Sequence, residues 1–243
     1  MTDWSTLIDA CGSAGHVPAL LDRFEADPSG VWSELMDHLC PLDTAFTASF
    51  AALPRLAEIA TAGGSENLGG VLSAAGAIAS CSPGLSEPDS PLMVFSAPIA
   101  VLHDLANRSL SQTAEAEEYV NLLQALLSFE GVETWDRSLS GLQTGEYEVD
   151  CPYCGVDVFV VIGHDGYFCC TDDYSLQGVE KSPLQPARGQ QLEGLPRRLF
   201  ERALAGGQVR LAHGVRHLFG RAACPDCGTG FSVSERMVAG WIP

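Results

Sequence analysis

Two short runs, Cys151-Pro152-Tyr153-Cys154-Gly155 and Cys224-Pro225-Asp226-Cys227-Gly228, carry the residue types best suited to chemistry in this chain. Each reads C-P-x-C-G. Two residues between the cysteines let both sulfurs point into one tight turn, and the glycine lets the backbone double back beneath them. A zinc ion held by four thiolates needs two such turns brought face to face. Because the proline and glycine recur along with the cysteines, the expected arrangement is one structural Zn2+ bound by Cys151, Cys154, Cys224 and Cys227. A closed four-cysteine site stabilises a fold and leaves no open position for catalysis.

Redox chemistry competes for the first run, since Cys-Pro-Tyr-Cys is also the active-site motif of glutaredoxins. That chemistry wants its first cysteine at a helix N-terminus, where backbone N–H groups lower the thiol pKa. Here Cys154 is followed by Gly155-Val156-Asp157-Val158-Phe159-Val160-Val161-Ile162-Gly163, a β-branched and aromatic run that reads as a strand. The spacing also leaves an alternative of two separate sites. The first knuckle would then be completed by Cys169, Cys170 or His164, and the second by His213 and His217. One shared ion needs no irregular ligand spacing and is the simpler arrangement. Cys169 and Cys170 then read as apolar strand residues, and the two histidines as packing or surface groups. Cys11, Cys40 and Cys81 lie in helical-looking segments and read as small core residues.

No Gly-rich dinucleotide fingerprint, Walker loop, HExxH or GxSxG run is present, and Lys181 is the single lysine. Nothing here points to a catalytic residue, and the expectation is a non-enzymatic protein. Nine cysteines, an odd number, suit a reducing compartment better than a disulfide framework. Without an eighteen-residue apolar stretch or a basic leader, the expected location is the cytoplasm, with no membrane partner.

Around the knuckles, the elements that must position them are mixed. The first 140 residues predict helices over His16–Ala26, Ser29–Cys40, Thr44–Ala62, Asn67–Ser80, Met93–Asn107 and Ser111–Phe129, with Ser82–Pro91 a proline-rich loop. Strands are predicted over Val156–Ile162, Gly166–Cys169 and Gly230–Val233. Sixty-nine residues separate Cys154 from Cys224, far more than a simple ribbon needs. Two helices, Gln191–Ala205 and Val209–Phe219, fill that interval around Gly206-Gly207. The fold class expected is therefore mainly α: a HEAT-like antiparallel helix array, then a small β zinc ribbon interrupted by a helical hairpin. The division runs 1–141 and 142–243, with the insertion at about 185–221.

Charge is distributed unevenly. Residues 1–146 hold twenty carboxylates, four arginines and no lysine, a net of −16 out of −18 for the chain. Nucleic-acid binding by this part is disfavoured, because phosphate contacts require Lys and Arg; a basic protein partner is favoured. Residues 188–221 invert the sign: Arg188, Arg197, Arg198, Arg202, Arg210, Arg216 and Arg221 face only Glu193 and Glu201. This segment either packs against acidic helices of its own chain or contacts nucleic acid. It lacks the interleaved aromatics of a stacking platform.

Prolines precede apolar residues at Pro18, Pro54 and Pro98, at spacings of 36 and 44 residues, close to the ~40–47 of HEAT-type helix pairs. The run Trp32-Ser33-Glu34-Leu35, continuing through Ala45-Phe46-Thr47-Ala48-Ser49-Phe50 to Ala51-Ala52-Leu53-Pro54-Arg55-Leu56, resembles a HEAT-like helical-repeat module of high-GC Gram-positive bacteria. That module has a tryptophan-bearing helix, a histidine-containing turn and an alanine-rich helix ending in Ala-Leu-Pro. The likeness covers residues 16–62 well and the other helices loosely. Some such proteins resemble immunity proteins encoded beside secreted toxins. The resemblance implies a protein that neutralises a basic toxin, for example a nuclease, through an acidic helical surface. A zinc-ribbon adaptor contacting nucleic acid through the 188–221 arginines is the alternative. The turn departs from the family, with His38-Leu39-Cys40-Pro41-Leu42 where His-Gln-Gly is typical, so no role passes to His38.

Overall fold

A computed structural model describes residues 2–82 and 90–240, so most of the proline-rich stretch read as a loop lies outside the described residues. The chain divides into two compact units, residues 1–113 with 121–137 and residues 114–120 with 138–243. Among the described residues, no helix is long and apolar enough to cross a membrane.

The first unit opens with a small hairpin, β1 (Ile8–Asp9) and β2 (Gly12–Ser13), in which Asp9 pairs with Gly12. Gly12 sits at φ +118°, where a side chain would be strained. Helix α1 (Val17–Ala26) follows, with Pro18 in its first turn, where a missing N–H costs no helical bond. It buries Val17, Leu20, Leu21 and Phe24, a stripe at helical spacing. Asp27 then caps α2 (Pro28–Leu39) by accepting the Gly30 N–H at 3.0 Å. The next helix, α3 (Thr47–Ala62), begins three residues later than the sequence predicts. Leu42 and Asp43 take left-handed backbone angles, and Ser49 Oγ accepts the Phe46 N–H at 2.8 Å to set the start.

Helix α4 (Ser65–Ser80) packs on α2 and α3. Where one helix over 93–107 is predicted, two form, α5 (Pro91–Val94) and α6 (Ser96–Leu110). Pro98 has no N–H to offer the preceding turn, so the helix restarts with this proline in its first turn. Helix α6 packs on α3 and α4. Helix α7 (Ala116–Phe129) starts five residues after the predicted Ser111. Within the first unit α7 meets α4 closely, since a Cβ on Gly76 would lie 2.7 Å from the Cα of Ala125. The three prolines flagged as a possible repeat are not equivalent: Pro18 and Pro98 sit in first turns and Pro54 inside α3.

Short helices α8 (Trp135–Ser138) and α9 (Gly141–Thr144) come next. The second unit is built on an antiparallel sheet ordered β3 (Glu146–Asp150), β4 (Asp157–Gly163), β5 (Gly166–Cys170), β6 (Ser182–Pro183). Val160 is the register point, pairing with Tyr147 on one side and Cys169 on the other. Then α10 (Gly194–Ala205) and α11 (Val209–Leu218) form the helical hairpin, with α11 packed on β4. A last hairpin, β7 (Arg221–Ala223) and β8 (Gly230–Ser232), leads into α12 (Val233–Gly240), which packs on β3. The expected strand through Val233 therefore ends one residue early and becomes a helix. Ser232 Oγ accepts the Glu235 N–H at 3.4 Å, capping it. The architecture is mainly helical with a small β region around four clustered cysteines.

Candidate metal centre

The two C-P-x-C-G runs fold as near copies of each other. In the first, Cys151 N–H donates to Val156 O at 2.8 Å and Gly155 N–H donates to Cys151 O at 3.0 Å. In the second, Cys224 N–H donates to Thr229 O at 3.0 Å and Gly228 N–H donates to Cys224 O at 2.9 Å. Gly155 and Gly228 take φ of +74° and +71°, the left-handed region that only glycine enters without cost. This is the reason for the glycine after each second cysteine. Each knuckle is held at both ends by strands, β3 and β4 for the first and β7 and β8 for the second. Neither opens a helix, so the geometry that activates a glutaredoxin-type thiol is not built here.

The knuckles meet with their sulfurs crossed. Cys151 Sγ lies 3.7 Å from Cys227 Sγ, and Cys154 Sγ lies 3.8 Å from Cys224 Sγ. All four sulfurs fall within 4.8 Å of one another. Four ligands ~2.3 Å from a central ion at tetrahedral angles sit about 3.8 Å apart. The two shortest separations match that value, and the cluster as a whole could hold a metal ion. Cys151 and Cys224, the first cysteine of each pair, are 2 % and 1 % exposed, whereas Cys154 and Cys227 face solvent.

Electrostatics within the cluster favour a cation. The hydroxyl and backbone N–H of Thr229 bond to Cys227 and hold its thiol down to about 6. Cys154 receives a similar bond from the Val156 backbone, yet burial and the neighbouring sulfurs together push it up to about 12. Like charges this close cannot all ionise unaided. A divalent ion among them removes the conflict and lets all four act as thiolates.

The other candidates stand apart from this cluster. Cys169 and Cys170 are fully buried in β5: Cys170 packs with Val161 and Phe168, and Cys169 Sγ points at Ala223 O, 3.1 Å away. His164 is exposed in the β4–β5 turn. On α11, His217 is buried and stacks on Tyr167 with ring centroids 4.1 Å apart, while His213 meets the same ring edge-on at 4.8 Å. Burial lowers the His217 pKa. Both histidines are packing groups. Of the three cysteines expected in helical cores, Cys40 is buried and its sulfur touches that of half-buried Cys81. Cys11 corrects that expectation, being exposed in the β1–β2 turn.

Among the 188–221 arginines, Arg197 pairs with Glu201 one turn along α10 at 2.7 Å, and Arg216 donates to Ala187 O at 2.9 Å. These two side chains thus serve their own hairpin and the loop before it. No known protein family, curated protein or solved structure matches the chain.

Proposed function

We propose that this chain is a non-enzymatic protein-binding protein whose acidic helical unit receives a cationic protein partner, while a structural Zn2+ on Cys151, Cys154, Cys224 and Cys227 fixes the second unit. The sulfur spacing of 3.7 and 3.8 Å supports zinc, a metal that accepts four thiolates without geometric penalty. With no open coordination position, such an ion contributes folding energy rather than catalysis.

One observation carries the binding reading: three of the first unit's four arginines are already engaged within it. Arg23 forms a two-pronged pair with Glu34 at 2.8 and 2.6 Å. Arg55 reaches Asp22, Glu25 and Glu58, and Arg137 reaches Asp43 and the Ser80 carbonyl. These three are among only four arginines in residues 1–146, which hold twenty carboxylates and no lysine. Carboxylates outnumber arginines five to one in these residues, and Asp3, Asp27, Asp37, Glu115, Glu117 and Glu118 all face solvent. A surface of this kind attracts a basic partner and speeds its approach. An immunity protein that covers a basic toxin is the setting the helical resemblance suggests.

Pull-down from the native host at low and high salt, followed by rate measurement with the purified partner, tests this. The expected partner is basic, and its association rate falls steeply as the Debye length shrinks from ~30 Å at 0.01 M salt to ~8 Å at physiological strength. Co-expression with that partner should suppress its toxicity. A neutral or acidic partner, or an association rate indifferent to salt, contradicts the reading.

A further inference from the structure

Far from the cysteines in sequence, three side chains of the first unit converge on one point. Asp9 Oδ2 lies 2.9 Å from His38 Nδ1 and 3.1 Å from His16 Nε2, and the two ring nitrogens are 3.1 Å apart. The three atoms make a nearly equilateral triangle. Three separate elements supply them: Asp9 ends β1, His16 is the residue before α1, and His38 lies in the last turn of α2.

Hydrogen bonding alone does not account for this triangle. Each facing ring nitrogen carries at most one proton, and an ionised carboxylate only accepts. If both nitrogens are protonated toward Asp9, two N–H groups oppose each other across 3.1 Å. If one is not, its lone pair faces the carboxylate oxygen at 2.9 or 3.1 Å. One edge is repulsive in either case. A cation above the triangle turns all three lone pairs to use. Ligands ~2.1 Å from an ion and at right angles to one another are about 3.0 Å apart, with 2.0–2.2 Å being the ordinary range for imidazole nitrogen and carboxylate oxygen. Two histidines and one carboxylate on a single face is a recognised transition-metal ligand set.

The surroundings hold these groups ready. The Asp9 side chain is fully buried, and its second oxygen accepts the Cys11 N–H at 2.9 Å, which aims Oδ2 at the histidines. Ala10 N–H donates to the His38 carbonyl at 3.1 Å, tying the hairpin to the end of α2. Thr47 Oγ1 accepts the Ile8 N–H at 2.9 Å, anchoring the same strand to α3. A buried carboxylate of fixed orientation is the kind of outer support that metal ligands use. Access is one-sided: His38 is 21 % exposed and His16 45 %, so an ion can enter past His16.

We propose that Asp9, His16 and His38 form a second metal site, which binds a divalent first-row transition ion and leaves its remaining positions open to water or a small oxygen or nitrogen ligand. This site differs from the cysteine centre in ligand type and in openness. Its thiolate-free, borderline donors suit Zn2+, Co2+, Ni2+ or Fe2+ rather than Ca2+ or Mg2+.

The test is equilibrium dialysis of the full chain against Zn2+ and, separately, Co2+, with metal per chain measured directly. The wild-type protein should hold two ions per chain at saturation. His16→Ala and His38→Ala should each hold one, and so should Asp9→Asn, which keeps the shape of the carboxylate and its Cys11 contact. His16 is exposed enough for its removal to leave the fold intact, and an unchanged circular dichroism spectrum of metal-free His16→Ala checks this. Added Zn2+ should also raise the melting temperature of the first unit in wild type and not in His16→Ala. The proposal is overturned if His16→Ala with native circular dichroism binds as many ions as the wild-type chain.

Discussion

Gly76 and Gly70 lie in the same helix, α4, yet alanine should act in opposite directions at the two positions. In a helix interior, Gly→Ala is worth about 1 kcal/mol of stabilisation where space allows. At Gly70 the nearest atom to an added Cβ is the Pro28 Cβ at 3.7 Å, an ordinary contact, so Gly70→Ala should stabilise by about that amount. At Gly76 the added Cβ would fall 2.7 Å from both the Cα and the Cβ of Ala125. Those atoms belong to the backbone and first carbon of α7 and cannot swing aside. The helices would have to separate by nearly an ångström, in a core where overpacking costs about 1–3 kcal/mol. Taking the upper part of that range against the propensity gain leaves Gly76→Ala less stable by about 1–2 kcal/mol. Trp4, Trp32 and Trp135 all belong to the first unit, and Trp241 is the only other tryptophan. In a Trp241→Phe background, urea unfolding followed by tryptophan fluorescence therefore reports on that unit alone. Equal shifts for the two variants, or a Gly76→Ala protein as stable as its parent, would refute the close α4–α7 packing.

Two ionisable groups give opposite dependences on pH. Burial raises the Asp136 carboxyl to about 6 from an ordinary 3.8, so the folded state binds more protons than the unfolded one between these values. The group therefore costs stability at neutral pH, and the cost is relieved as pH falls through 6; Asp136→Asn should gain up to about 3 kcal/mol over wild type between pH 4 and pH 8, as read by denaturant melts at each pH. His217 behaves the other way, because burial lowers its pKa below 6.5 and the unfolded state takes up the proton first. Stability of the second unit should fall as pH drops below about 6.5, and His217→Gln should flatten that slope in thermal melts; an unchanged slope would count against the buried neutral imidazole.

Some of this architecture is legible in the residues because local chemistry demands it. The glycines of both C-P-x-C-G runs announce left-handed backbone, and Gly155 and Gly228 take it. The stripe of Val17, Leu20, Leu21 and Phe24 announces a buried helix face, and all four are buried. Other features are encoded in weaker or longer-range signals. Helix α12 was readable from Ser232 and Glu235, an S-x-x-E start that the β-branched Val233 obscures. The strands β1 and β2 have two residues each, too few to show alternation. Asp9, His16 and His38 follow no spacing motif; only the hairpin and the ends of two helices bring them together. A sequence names the residues that must share a turn far more readily than those that share a point in space.

Both knuckles together should hold a single ion. Metal analysis in a His16→Ala background measures this most directly, since the histidine site no longer contributes. The parent should contain close to one zinc per chain. Replacing only the first pair (Cys151→Ser with Cys154→Ser), or only the second (Cys224→Ser with Cys227→Ser), should remove that zinc completely, because two thiolates alone do not close a tetrahedral site. A parent without zinc, or a chain that keeps its zinc after losing either knuckle, would show that the two knuckles do not share an ion.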